Sequence, residues 1–285
     1  VKSNTKSIIK YQNLKSDDSS ITTLPLSYTF GMSCINTLLS VGAKIIISNN
    51  SILQKEFWAE YKKNKITIIN GVPFTYNALD KLRFFSRPNN IKIFTQAGGK
   101  LSDELQIKIS DFCKKNNSKF FVMYGQAEAT TRISYLPNNY NLKKIGSVGI
   151  PIDGGQIKIR NGKLKIIKKK NIVGNIFYNG PNVCMGYSYA KKDLKKGYEW
   201  TKGINTGDVG KFDEDNFLYI TGRKKRFAKL YGLSINLDDL EKIILNTYSN
   251  IEIAIITLGE KIIIFYNNKK MKKRNIKLLI DKINM

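Results

Sequence analysis

Lys119-Phe120-Phe121-Val122-Met123-Tyr124-Gly125-Gln126-Ala127-Glu128-Ala129-Thr130 is the stretch whose reading decides the fold. Phe120–Tyr124 is an apolar run of strand length, and a glycine and then a carboxylate follow it at once. The same rhythm appears twice upstream. Ile66–Ile69 runs into Asn70-Gly71-Val72-Pro73, and Ile91–Phe94 runs into Thr95-Gln96-Ala97-Gly98-Gly99. Helical stretches separate these runs: Lys55–Lys63, a segment opened by Pro73 and reaching about Arg83, and one capped by Ser102 with Asp103 and Glu104 in its first turn. Leu105, Ile109, Phe112 and Cys113 give that last helix one apolar face. Alternation of this kind predicts a mainly parallel sheet covered by helices. In open α/β sheets ligands bind beyond the carboxyl ends of the strands, where glycine lets backbone amides approach an anion. Three such loops in succession point to a site there.

Working outward, Lys44–Ser48 reads as a short strand. From about Tyr140 the pattern turns to short strands punctuated by glycine, with Asn161-Gly162 as the strongest hairpin signal. Gly222-Arg223-Lys224-Lys225-Arg226 breaks that pattern. A helix at about Leu237–Tyr248, strands at Ile251–Thr257 and Lys261–Tyr266 and a helical piece at Asn275–Asn284 follow. The predicted fold is therefore an α/β large domain, mainly a parallel sheet plus a β-barrel-like segment, with a small, incomplete α+β domain after it. Residues 1–222 form the first (1–139 α/β, 140–222 mostly β) and 223–285 the second.

Composition narrows the chemistry. The 285 residues contain no histidine, which removes Ser-His-Asp and Cys-His triads and imidazole metal sites. Three cysteines lie far apart and suit a reducing, cytoplasmic setting without disulfides or a zinc knuckle. The net charge is +26, but 41 of the 48 basic residues are lysine, spread among isoleucine and asparagine along the whole chain. AT-rich coding drift explains that better than a nucleic-acid surface, which leans on arginine. No apolar run is long enough to cross a bilayer, so a membrane partner is not expected.

Tyr124-Gly125-Gln126-Ala127-Glu128 resembles the Y-G-x-T-E signature of the adenylate-forming superfamily, which includes acyl-CoA synthetases, luciferases and peptide adenylation domains. Four further elements follow its order. Pro25-Leu26-Ser27-Tyr28-Thr29-Phe30-Gly31 resembles the acyl-pocket loop. Gly174, Gly180, Gly186 and Tyr187 resemble a weaker glycine element, with Asn175 in place of Glu. Asn205-Thr206-Gly207-Asp208 resembles the T-G-D motif, and Gly222-Arg223-Lys224-Lys225 with Lys229 and Gly232 the hinge. The resemblance implies an ATP-dependent ligase that activates a carboxylic acid as an acyl-adenylate. The acyl group would then pass to a thiol, of coenzyme A or of a carrier protein.

The resemblance also implies roles, and the residue types suit them. Tyr124 offers a face for adenine, with Gly125 and Gln126 beside it. Glu128 is a hard ligand for Mg²⁺ bridging ATP phosphates. Asp208 can accept from a ribose diol, and Arg223 can hold ribose or phosphate oxygen. Gly98 and Gly99 lie against nucleotide or acyl group; Tyr28, Phe30 and Val72 line the acyl pocket; Lys225 is the pivot. Each has a plainer alternative: Tyr124 a core aromatic, Glu128 a first-turn carboxylate, Asp208 a turn residue, the basic cluster a polyanion patch.

Departures from the pattern matter as well. Ala127 lacks the usual threonine hydroxyl, a loss worth about 1.5–3 kcal/mol against a charged phosphate. Tyr28 stands where many members have histidine. The glycine-rich phosphate loop and the C-terminal catalytic lysine of the family are not among these residues, so the resemblance implies a chain truncated at both ends, with slow adenylation or none. Other readings are a non-catalytic protein that keeps AMP or acyl-adenylate affinity, and a polyanion binder.

Overall fold

The computed structural model describes residues 1–201, 203–223, 226–230, 233–248, 251–258 and 261–267. In chain order, the first half carries α1 (Lys2–Gln12), β1 (Ser19–Ile21), α2 (Thr29–Leu39), β2 (Lys44–Ile46), α3 (Lys55–Lys63), β3 (Ile68–Gly71), α4 (Pro73–Lys81), β4 (Ile93–Gln96), α5 (Asp103–Lys115) and β5 (Lys119–Tyr124). Two short strands follow, β6 (Ser134–Tyr135) and β7 (Ile150–Pro151). Together these strands form one sheet in the order β2-β1-β3-β4-β5-β6-β7. The first five are parallel, and β6 and β7 join antiparallel.

Strand alternation builds a core on both faces of this sheet. Phe120 and Val122 of β5 point into a cluster with Tyr76, Leu79, Phe94, Ile109 and Phe112, beneath α4 and α5. Phe121 and Met123 point the other way, to Phe30, Leu38, Ile68 and Ile93. The apolar run that opened the reading is thus buried on both sides, as a parallel sheet covered by helices requires. α5 begins where its cap was expected: the Ser102 hydroxyl accepts from the Leu105 amide at 3.2 Å. Strand order reverses between β1 and β3, the switch point where doubly wound sheets open a crevice.

The second sheet contains β8 (Gln156–Arg160), β9 (Gly174–Asn179), β10 (Ile204–Phe212) and β11 (Leu218–Arg223), in the order β11-β10-β9-β8. The turn after β8 differs from expectation. Leu164, at φ 61°, takes the left-handed position, not Gly162. The Asn161 side-chain oxygen accepts from the Lys163 and Lys165 amides, closing a longer loop than a two-residue hairpin.

The chain divides into two compact units: Val1–Thr206 with Lys211–Ile220, and Gly207–Gly210 with Thr221–Met285. The second unit contains β12 (Phe227–Leu230) paired with β13 (Leu233–Asn236), α6 (Leu237–Thr247), and β14 (Ile253–Leu258) paired with β15 (Lys261–Tyr266). Leu237, Leu240 and Ile244 of α6 pack on Ile251 and Ile255. Arg226 ties this small core together through Asp238 at 2.8 Å and Glu241 at 2.7 Å. The basic break of the sequence is thus partly strand, since β11 runs through Arg223. Lys225, Gly232 and Asn275–Asn284 lie outside the described residues. Among the described residues no helix is long and apolar enough to cross a membrane.

Candidate functional site

β5 ends at Tyr124, and the chain turns sharply into a loop that returns as β6. Gly125 makes the turn possible: a Cβ there would lie 1.5 Å from the Thr131 carbonyl oxygen. Thr130 and Thr131 both take positive φ, 47° and 95°, so the loop is held against its local preference. Asn182, 1% exposed, does much of the holding. Its side-chain nitrogen donates to the carbonyls of Ala129 (2.6 Å) and Arg132 (2.9 Å), and its oxygen accepts from the Tyr178 hydroxyl at 2.7 Å. The Thr130 hydroxyl donates to the Asn182 carbonyl, and the Cys184 amide to the Glu128 carbonyl. Asn4 of α1 adds a bond to the Arg132 carbonyl at 2.9 Å.

This clamp fixes Glu128 at the carboxyl end of the sheet. Its carboxylate is half-buried and accepts from the Tyr187 hydroxyl. That bond, with some burial added, pushes the Tyr187 phenol up to about 12, so the phenol stays a donor at neutral pH. Tyr124 is half-buried and packs against Ile133, Tyr178 and Ile204 on one side and Ile159, Ile176 and Leu218 on the other. Its ring is therefore part of the core as well as the end of the strand. Thr130 does not replace the hydroxyl missing at Ala127, because its own donor is spent on Asn182.

The loops after β1, β3 and β4 converge. A Cβ at Gly98 would lie 2.7 Å from the Tyr28 hydroxyl and 3.2 Å from a Val72 methyl, so these three residues share one wall. Gly99 backs onto Pro73 in the same way. Tyr28 is partly exposed, whereas Phe30, in the first turn of α2, is 1% exposed, with its ring centroid 6.3 Å from that of Tyr28. The guanidinium of Arg132 covers Phe30, 4.2 Å from the ring centroid. Nearby, a cavity of about 300 Å³ opens beside the switch point, lined by Thr22, Thr23, Ser48, Asn50, Phe74 and Thr75 among others.

In the second unit, Asp208 of β10 is buried and its Oδ1 accepts from Arg223 Nε of β11 at 2.8 Å. The Arg223 side chain itself is 71% exposed, so one end of the pair faces water.

Among the described residues no three His, Cys, Asp or Glu side chains gather as a metal cage. A single half-buried carboxylate does fit Mg²⁺, which keeps several waters and takes one or two carboxylates together with substrate phosphates.

Two residues escaped the sequence reading, Asn182 and Arg132, and a third, Tyr187, was found without its partner. Asn182 sits inside the weak glycine element, where only the glycines drew attention. Tyr187 was read as part of that element, with nothing to link it to Glu128. Arg132, 2% exposed, is a charged residue between Thr131 and the apolar Ile133, and that interruption was the available signal.

The profile of the AMP-binding enzyme family matches residues 2–188. A 2-succinylbenzoate–CoA ligase from Bacillus pumilus is 25% identical over 246 residues, which is 86% of this chain and 48% of the relative. One from Oceanobacillus iheyensis is 28% identical over 232 residues, 81% of this chain and 46% of the relative. The chain thus spans about half the length of the curated relatives it matches. Among solved structures, o-succinylbenzoate CoA synthetase from Bacillus subtilis, in complex with the acyl-adenylate intermediate OSB-AMP, superposes with a TM-score of 0.79 at 20% identity, over 98% of this chain and 57% of that one. That likeness bears out the mixed fold, a parallel-dominated sheet with separate antiparallel sheets and a small C-terminal piece. With the profile covering well over half of its length, the chain belongs to the AMP-binding enzyme family.

Proposed function

We propose that this chain supplies nucleotide- and acyl-binding walls of an ATP-dependent, AMP-forming acid–thiol ligase. The observation that carries the reading is the clamped loop after β5, which holds Glu128 and the Gly125–Gln126 backbone rigidly at the carboxyl end of a parallel sheet. A carboxylate oxygen attacks the α-phosphorus of ATP, and the bond to the bridging oxygen breaks to release pyrophosphate. A thiol then attacks the acyl carbon and releases AMP and a proton. The curated relatives are CoA ligases, which favours coenzyme A over a carrier-protein thiol as the acceptor.

Tyr124, Gly125 and Gln126 form the adenine side, and Gly98 and Gly99 lie along the nucleotide or the acyl group. Asp208 accepts from the ribose diol, with Arg223 fixing one of its oxygens and facing the ribose-phosphate. Mg²⁺, when bound through Glu128, neutralises charge on the phosphates. The Tyr187 hydroxyl orients the Glu128 carboxylate. Tyr28, Phe30 and Val72 belong to the acyl side, and Lys225 to the hinge between residues 1–222 and 223–285.

Calorimetric titration with AMP and with a non-hydrolysable acyl-sulfamoyl adenosine tests this reading. Both should bind, the acyl mimic tighter because it fills two subsites. Glu128→Gln should weaken Mg²⁺-dependent ATP binding at least tenfold while AMP still binds without metal. A chain that binds neither AMP nor the mimic does not have the proposed function.

A further inference from the structure

Tyr187 is held against the loop after β5 from two sides. Its backbone belongs to the segment that clamps that loop: Asn182 donates to the Ala129 and Arg132 carbonyls, and the Cys184 amide donates to the Glu128 carbonyl at 2.8 Å, three residues before Tyr187. Its ring packs edge-on against Trp200, with centroids 5.6 Å apart and planes at 64°. Trp200 in turn lies against the buried cluster of Ala129, Ile133, Tyr178 and Ile204. The phenol is therefore fixed by the same core that fixes the loop carrying Glu128. Tyr187 is about half exposed, and a phenylalanine would offer Trp200 the same ring. What the hydroxyl adds is its bond to Glu128 Oε1.

That bond divides the two oxygens of the carboxylate. Oε1 accepts from the phenol, and no other donor reaches the carboxylate among the described residues. Oε2 is the oxygen left for a cation. Because the phenol is neutral, the carboxylate keeps its charge, which a lysine or arginine in the same place would cancel. Divalent cations differ in what they ask of such a group. Ca²⁺ takes about six to eight oxygens in a flexible shell and accepts a carboxylate through both of its oxygens. Mg²⁺ demands a near-ideal octahedron, whose adjacent ligands lie about 3 Å apart; the two oxygens of one carboxylate, about 2.2 Å apart, do not span that edge. A carboxylate with one oxygen already engaged is thus a ligand matched to Mg²⁺.

We propose that Tyr187 is the positioning residue that sets the metal preference of this site: by occupying Oε1 it presents Glu128 as a one-oxygen ligand, and so favours Mg²⁺ over Ca²⁺ as the ion that accompanies ATP. This rests on the reading of Glu128 as the carboxylate that holds the metal. Without the hydroxyl both oxygens are free to close on one ion, which benefits Ca²⁺ and not Mg²⁺.

Calorimetric titration of the full chain with Mg-ATP and with Ca-ATP, before and after Tyr187→Phe, reads the preference. Both complexes are formed at saturating metal, so the nucleotide's own affinity for each ion drops out, and metal-free AMP reports whether the variant is folded. The wild-type chain should bind Mg-ATP at least about fivefold tighter than Ca-ATP, and Tyr187→Phe should shrink that ratio at least about threefold, with Ca-ATP bound as tightly as before or tighter. A tyrosine that only supports the loop would weaken both complexes by one factor and leave the ratio where it was, so an unchanged ratio in Tyr187→Phe overturns the inference. Equal affinity of the wild-type chain for the two complexes overturns it as well, and that comparison needs no variant. If AMP binds but ATP binds alike with and without metal, the assignment of the metal to Glu128 fails and the inference falls with it. If neither AMP nor ATP binds, the adenylation reading itself is overturned.

Discussion

The loop from Gly125 to Arg132 and the strand pair carrying Asp208 and Arg223 fix their charged groups by opposite means. In the loop, neutral groups hold the backbone: Asn182 takes two carbonyls, Thr130 and Cys184 add one bond each, and the Glu128 carboxylate accepts from a phenol. Its one cation, Arg132, is buried without a carboxylate. In the strand pair, a buried carboxylate meets a mostly exposed guanidinium directly at 2.8 Å. The first arrangement leaves its cation without a counter-charge among the described residues. The second pairs its charges directly, the carboxylate buried and the guanidinium facing water.

The largest expected effect comes from breaking the loop at its tightest point. A methyl at Gly125 would meet the Thr131 carbonyl oxygen at 1.5 Å and the Arg132 Cα at 3.0 Å, both of them backbone atoms that cannot swing aside. Gly125→Ala should therefore destabilise the first unit by about 3 kcal/mol or more, or displace the loop outright. Urea unfolding followed by tyrosine and tryptophan fluorescence reads the first outcome, and loss of AMP affinity the second. A variant with wild-type stability and affinity would show that the loop is loose, and the contrast drawn here would fail.

Asn182→Ala should come next, at about 2–3 kcal/mol, since it strands the Ala129 carbonyl and the Tyr178 hydroxyl and takes one of two bonds from the Arg132 carbonyl, which keeps Asn4. The sharper readout is local. Amide exchange at Ile133, whose nitrogen donates to the Tyr124 carbonyl at 2.8 Å, should accelerate more than exchange in α5. Uniform acceleration through both would mean that Asn182 supports the whole unit, not the loop in particular.

What the sequence made legible follows the same division. β3, β4 and β5 were readable because their apolar runs are buried on both faces, and α4 and α5 because Pro73 and Ser102 mark their starts. β1 was not. It is three residues, Ser19-Ser20-Ile21, whose hydroxyls donate to the Lys65 and Ile68 carbonyls, so its burial rests on bonds that composition does not show. α2 was not foreseen either: its first three residues, Thr29, Phe30 and Gly31, fall in the stretch that resembles the acyl-pocket loop, and a glycine in a first turn gives no helical signal. The motif residues could be found by their order. Asn182 and Arg132 could not, because their roles depend on backbone atoms and voids 50 or more residues away in one case and on the absence of a partner in the other.

The smallest effect, and the one that most sharpens the comparison, is at Arg223. Arg223→Ala removes the guanidinium from a buried carboxylate, but with 71% of the arginine side chain in water the pair is screened, and the cost should be about 1 kcal/mol. Raising the salt concentration should shrink the difference between variant and wild type further, because exposed charges are screened within a Debye length of about 8–10 Å at ordinary ionic strength. Arg132→Met should leave stability unchanged or higher, because it removes a buried cation that has no counter-charge, and its effect should not change with salt, since that cation is 2% exposed and the ions do not reach it. Paired urea titrations at low and high salt therefore distinguish the two arginines by a slope as well as by a sign. If both variants responded to salt alike, Arg132 would be in contact with solvent, and the contrast between the two arginines would fail.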